Sequence, residues 1–211
     1  MFYIYVKFLY DIYKLIYVFF LNLLLRYYCD NIKITLNFIS FFHASISTLM
    51  SLYIILNNHS ESLIPFINFS RNFSIGYFTY DSLMTFKYSK GIYKIGYLYH
   101  HFATIFMLTH NCFIYPIYNI IFLGELSNLP GYFKVYYKLK NEEKNLKKLY
   151  FFKNLEKVLF SIIRIFFIGY IGYENILKYG ITVLSNVLIP LYFIGVYKTI
   201  EILLFDKIQK Y

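Results

Sequence analysis

KIGYLYHHFATIFMLTHNCF, residues Lys94–Phe113, carries one charged residue, at its first position, and is otherwise apolar enough to lie in a bilayer. As a helix rising 1.5 Å per residue it is long enough to cross a hydrocarbon core of about 30 Å. Inside it stand two adjacent histidines, His100 and His101. An imidazole at membrane depth needs a partner or a water-lined cavity, so such a pair marks a candidate functional site.

The rest of the chain reads the same way. Its 211 residues are 59% hydrophobic and 15% charged, against roughly 25% charged in a soluble domain. Tyr (26) and Phe (24) are abundant and Trp is absent. This is the mark of AT-rich codon usage, and little function is read into single aromatics. The net charge of +10 fits basic loops facing anionic lipid on the cytoplasmic side. No RNP-like, finger or helix-turn-helix pattern accompanies it, and no nucleic-acid partner is expected. Cys29 and Cys112 form no CxxC and no framework. The N-terminal MFYIYVKFLYDIYKLIYVFFLNLLL lacks a basic n-region and a small-residue cleavage site, and reads as a retained segment.

The expected fold class is all-α: a polytopic membrane protein of about seven helices around a polar, lipid-sized cavity. The spans fall roughly at 3–25, 34–56, 67–86, 95–113, 115–133, 158–175 and 180–204. Lys7, Asp11 and Lys14 share one face of the first segment, which either spans or lies in the interface, leaving six spans. Pro116 sits where a proline is tolerated, and Pro130-Gly131 is expected to break or kink the fifth span. The longest polar stretch, KVYYKLKNEEKNLKKLYFFKNLEK, falls between the fifth and sixth spans. Alternating the sides puts sixteen Lys and Arg on one face, including the eight lysines from Lys134 to Lys157, and two, Arg71 and Lys178, on the other. The basic face is then cytoplasmic, with the C-terminus on it and the N-terminus opposite. Cys29 and Cys112 would lie near opposite faces.

Ionisable residues converge in depth on this topology. His100 and His101 lie roughly 8–9 Å inside the cytoplasmic boundary, level with Asp81, with His43 roughly 14 Å deep and Arg164 roughly 9 Å deep. Glu125 is close to mid-depth. Five spans bring such a group to the same half of the membrane, as a cavity open to the cytoplasm would require. Each residue also has a structural reading. His43, beside Ser45, Ser47 and Thr48, suits an interhelical hydrogen-bonding residue. Asp81 suits pairing with a histidine or Arg164, Glu125 a bond near a helix break, and Arg164 a structural or anion partner. Neighbouring helical positions point about 100° apart, so one histidine lines the cavity while the other packs or orients it.

Imidazole acts as base or nucleophile near neutral pH, and a carboxylate on one ring nitrogen fixes its tautomer. Such a set can deprotonate a hydroxyl or amine, or attack an activated acyl group. An acyl-CoA thioester would arrive from the cytoplasmic side, its phosphates meeting the Lys-rich face. The histidine boxes of di-iron lipid oxygenases, HExxH, GxSxG, P-loop and GxGxxG are all absent. No metal site and no resident cofactor are expected.

Four strings in order, FFHASIS, SIGYFTYDSLM, YLYHHFATIF and FLGELSNLPGYF, resemble the TLC-domain family. This family groups TRAM translocon-associated proteins, Lag-type ceramide synthases and the neuronal ceroid lipofuscinosis membrane protein. FSIIRIFF, with Arg164, looks like the arginine of the family's penultimate span. The resemblance covers 34–204. It leaves 1–33 as an N-terminal membrane helix and cytoplasmic loop, and 205–211 as a short basic tail. It implies a multi-pass protein of the endoplasmic reticulum or another internal membrane. It also implies acyl transfer from acyl-CoA to a lipid amine or hydroxyl, with His100 and His101 as catalytic residues together with Asp81 and Glu125. His43, Ser127 and Arg164 would support the cavity. The acidic HDxxD…LExxK array of the ceramide synthases has no counterpart in THNCFIYPIYNIIFLGELSNLPGYFK, and GELSNLP is similar to the small TLC-domain proteins instead. Two functions therefore satisfy the sequence: a ceramide-synthase-like lipid acyltransferase, or a non-enzymatic protein that binds, organises or traffics lipid. Membrane lipids are the expected partners, with acyl-CoA as co-substrate in the first case. The sequence is compatible with an oligomer.

Overall fold

A computed structural model describes residues 32–57, 61–109, 114–140, 145–179 and 183–204. The segment 3–25 with Lys7, Asp11 and Lys14 lies outside them, as do Cys29, Cys112, His59, His110 and the tail 205–211. The described chain is helical: α1 (Ile32–Leu56), α2 (Ile64–Tyr88), α3 (Gly91–Thr109), α4 (Ile114–Lys140), α5 (Leu146–Phe160), a π-helical segment (Ser161–Phe167), α6 (Ile168–Tyr179) and α7 (Val183–Leu204). A short 3₁₀ turn (Glu61–Leu63) precedes α2. The backbone stays helical from α5 through the π segment into α6, so these elements form six rods.

Local signals account for several boundaries. Pro65 occupies the first turn of α2, where its missing N–H costs nothing. The α2 helix ends at Ser89, whose N–H closes the last turn on the Thr85 carbonyl at 3.0 Å. Gly91 then adopts φ +65°, a left-handed conformation that needs glycine, and this permits the tight reversal into α3. The α4 helix has the broadest set of neighbours: it packs on α1, α5, the π segment, α6 and α3.

Burial runs opposite to that of a water-soluble protein. On α1, the stripe at i, i+4 spacing that faces the bundle holds Thr35, His43, Ser47 and Ser51 along with Ile39, while Phe38, Leu49, Tyr53 and Leu56 point outward. Large apolar side chains are exposed on every rod, among them Leu83, Phe102, Phe151, Phe166, Tyr170 and Phe193. Hydrocarbon accepts that surface and water does not. In lipid, helices associate through close packing and hydrogen bonds instead of apolar burial. Tyr118 illustrates both, as it is buried among Ile54, Ile67, Phe78 and Met107 and its hydroxyl donates to the Ile67 carbonyl at 3.0 Å. Hydroxyls of Ser45, Ser82, Thr104 and Thr199 bond back to carbonyls four residues earlier, which satisfies them inside the apolar layer. One described helix, over Lys33–Leu56, is apolar enough to cross a membrane by length and composition alone. The others interleave Tyr, Asn and charged residues that dilute that signal.

Two sequence expectations are corrected here. Pro130 does not break its helix: α4 runs through it to Lys140, with Pro130 buried against the neighbouring rods. The polar stretch 134–157 is not a loop for most of its length. The end of α4 and the start of α5 form a helical hairpin, with Phe152 stacked on Phe133 (4.7 Å) and Tyr137 (5.7 Å). Lys134 pairs with the buried Glu156. A side chain at Gly131 would place its first carbon 2.7 Å from a Glu156 oxygen, so glycine leaves room for the Glu156 carboxylate in its pairing with Lys134.

Candidate functional site

Five helical elements send polar side chains into one layer of the bundle. From α1, the buried His43 accepts or donates through Nε2 to Ser47 Oγ at 2.9 Å, and Ser47 reaches Ser74 of α2 at 3.4 Å. The ring lies flat on Tyr77, with centroids 3.7 Å apart and planes within 8°. Its Nδ1 stands 3.8 Å from Glu125 Oε1 of α4. From α2, Asp81 Oδ2 meets His101 Nε2 of α3 at 3.1 Å. The Tyr77 hydroxyl is shared between Asp81 (3.3 Å) and Ser40 (3.0 Å). His101 is thus sealed, at 3% exposure, between Asp81 and Phe78.

A second set centres on Arg164, in the π segment. Its Nε donates to Ser127 Oγ at 3.0 Å, and Nη2 donates to the Gly124 carbonyl (3.0 Å) and to Asn128 Oδ1 (3.1 Å). The Asn128 amide in turn donates to Glu125 Oε2 at 3.3 Å. Asn128 therefore bridges the arginine and the carboxylate. Glu125 links the two sets, since its other oxygen faces His43.

The second set borders a cavity of about 560 Å³ enclosed by α3, α4, the π segment, α6 and α7. That volume falls within the range of small-molecule sites. Its polar end is formed by His100, Glu125, Asn128 and Arg164, and the remainder by side chains such as Met107, Ile120, Ile168, Ile176, Ile189 and Leu191. Tyr170, Tyr173 and Phe193 line it and are also exposed on the outer surface, so the cavity opens sideways between α6 and α7. Among the described residues no three His, Cys, Asp or Glu side chains stand close enough to hold a metal ion.

The family model of the TLC domain matches residues 33–205. The chain belongs to the TLC-domain family. It is accordingly an integral multi-pass membrane protein, which explains the apolar exterior and polar interior of the bundle. No similar protein of curated function and no similar solved structure is found.

Within this TLC domain the residues singled out from the sequence do not form one group. His100, Glu125 and Arg164 border the cavity. His43, Asp81 and His101 lie behind it, in the layer between α1, α2, α3 and α4, and Ser127 is fully buried beneath Arg164. The adjacent histidines part company as the 100° step requires. Their ring centroids are 5.7 Å apart, but one faces the cavity and the other a carboxylate. Sequence reading missed Asn128 and Tyr77. Asn128 stood inside the quoted GELSNLPG string, three residues after Glu125, a spacing that puts both on one helical face. Tyr77 carried no signal among so many tyrosines.

Proposed function

We propose that this TLC-domain protein holds a long-chain lipid in the cavity and transfers an acyl group to it from acyl-CoA, with His100 as the transient acyl acceptor. The observation that carries this reading is the placement of His100. It is the imidazole at the polar end of an otherwise apolar cavity, and among the described residues its nitrogens are engaged by no hydrogen bond or ion pair. A ring nitrogen of His100 attacks the thioester carbonyl, the C–S bond breaks, and coenzyme A leaves as a thiolate that takes up the imidazole's other proton. The acceptor's hydroxyl or amine then attacks the acyl-imidazole. The C–N bond breaks and the acceptor's proton returns to the ring. Asp81 and His101 act as a buried pair supporting the wall behind His100. The membrane is the endoplasmic reticulum or another internal one. The basic ends of α2, α3, α4, α5 and α7 face the cytoplasm, where they meet the phosphates of acyl-CoA. Glycosylation tags inserted between α4 and α5 should stay unmodified, and modification there would reverse the orientation.

Lipidomics of cells expressing wild type or His100→Ala at equal abundance tests the chemistry. Wild type should raise an acyl-lipid pool, and the variant should lower that activity by at least about 100-fold, the lower range for loss of a general acid–base group. An unchanged pool with wild type would sink the acyl-transfer reading. One observation favours a second reading, lipid binding without chemistry: the nearest carboxylate to the histidine pair, Asp81, bonds His101 and not His100. On that reading wild type and His100→Ala give identical lipid pools, yet both retain bound lipid on purification.

A further inference from the structure

Arg164 is a cation placed at the wall of an apolar cavity, and among the described residues no carboxylate stands within ion-pair distance of it. Its three hydrogen bonds go to a hydroxyl, a backbone carbonyl and an amide oxygen, all neutral acceptors. They engage Nε and Nη2, while Nη1 makes no hydrogen bond to any described residue. Glu125 borders the same cavity, but its two oxygens are directed to His43 Nδ1 and to the Asn128 amide. The Phe160 ring lies 5.0 Å from the guanidinium carbon. A half-buried charge held by neutral partners, with one edge unsatisfied beside a ligand-sized space, is complete when an anion joins it. A guanidinium edge presents a fork that matches the oxygens of carboxylate and phosphate.

Volume sets the rest of the ligand. At roughly 30 Å³ for a water-sized group, the space of about 560 Å³ is large enough for a chain of about eighteen carbons. Apolar residues line it away from Arg164, and the side opening between α6 and α7 allows a chain to slide in from the bilayer. We propose that the long-chain lipid held here has an anionic head, a carboxylate or a phosphate ester, beside the hydroxyl that accepts the acyl group, and that Arg164 is the residue that selects it over neutral and cationic heads. The inference rests on the lipid-cavity reading above and narrows it: a protonated long-chain amine would meet the arginine as a like charge and be disfavoured.

The test uses the full chain purified into nanodiscs of neutral phosphatidylcholine, carrying a fluorescent single-chain fatty acid as reporter. Four competitors of equal chain length are compared: a fatty acid, a lysophosphatidate, a monoacylglycerol and a long-chain amine. The acid or the lysophosphatidate should displace the reporter at concentrations at least tenfold below the monoacylglycerol, and the better of the two identifies the head group. The amine should be weakest. In R164Q the ratio between anionic and neutral competitors should fall below threefold, while R164K should keep part of it. The wild-type ranking alone decides the matter should R164Q fail to fold. Equal or better competition by the monoacylglycerol or the amine overturns the head-group assignment and leaves the cavity reading standing. A reporter that does not bind, or that none of the four displaces, overturns the cavity reading and this inference together.

Discussion

His100 and His101 sit side by side on α3 in two different surroundings. On the α1–α2 side, His101, Asp81, Tyr77, Ser40, His43 and Ser47 are closed into short contacts with one another. On the α6–α7 side, His100 and Arg164 face a cavity. Both regions bury polar groups in an apolar layer, but they meet its cost differently. The closed side pairs its groups with one another, as membrane helices do when polar side chains hold them together, although Nδ1 of His43 and Nδ1 of His101 make no hydrogen bond. The open side leaves one imidazole and one guanidinium edge for something else to satisfy. Polarity at membrane depth is therefore not by itself a sign of chemistry. Which groups border a ligand-sized space is the more discriminating feature.

That contrast can be broken experimentally. The largest effect is expected from filling the open side. Gly172 lines the cavity, and a side chain added there meets nothing within 4 Å. Gly172→Trp should weaken binding of the fluorescent fatty acid by tenfold or more, while the melting temperature stays within about 2 °C, since replacing a helical glycine is not itself destabilising. Retained binding would place the ligand elsewhere. Next comes the asymmetry between the histidines. His101→Ala removes the partner of Asp81 and should lower the melting temperature in detergent by about 2–8 °C, taking about 1–2 kcal/mol and about 2–4 °C per kcal/mol for a chain of this size. His100→Ala should change it by less than about 2 °C. Equal shifts would dissolve the distinction between the two sides.

A double-mutant cycle sharpens the same point at smaller scale. Asp81→Asn and His101→Gln should couple by about 0.6–1.7 kcal/mol, the range of polar contacts between membrane helices. Asp81→Asn with His100→Gln should add within about 0.5 kcal/mol. The smallest effect is expected for Tyr77→Phe. It deletes a hydroxyl shared by Asp81 and Ser40 but keeps the ring stacked on His43, for a loss of about 0.5–1.5 kcal/mol in urea or thermal unfolding.

How much of this was legible beforehand follows from the kind of signal each feature leaves. Apolar length marks one described rod plainly, over Lys33–Leu56, and the others approximately: the span expected from 158 belongs to a rod that begins at Leu146. Charged or ring-bearing polar residues in such stretches are rare enough to count, which is why His43, Asp81, His101 and Glu125 could be grouped by depth before any contact was known. Rotation about each helix axis is another matter. The sequence shows that His100 and His101 diverge but not which one meets Asp81, because that depends on how α3 is turned against α2. The continuation of α4 through Pro130 was hidden for a related reason. A proline ends or kinks a helix by default, whereas neighbouring rods packed around it let the helix run on. The α4–α5 hairpin was masked by its own lysines, which read as loop while Phe133, Tyr137 and Phe152 between them build a helical interface. Asn128 was overlooked because an amide gives no charge to count, though it joins Arg164 to Glu125.

A helix that changes its winding midway carries two rotational phases. In Ser161–Phe167 the backbone hydrogen bonds span five residues, as from the Ile168 N–H to the Ile163 carbonyl, so the rod accommodates extra chain length there. The face of α5 that grips α4 through Glu156 and the face of α6 that borders the cavity are consequently set by separate registers, with Arg164 at the point of change. Removing one residue from this segment would bring the rod into a single phase and turn one face against the other by about 100°. The lipid-facing half of the domain thus has an angular adjustment independent of the packing that anchors the rod to its neighbours.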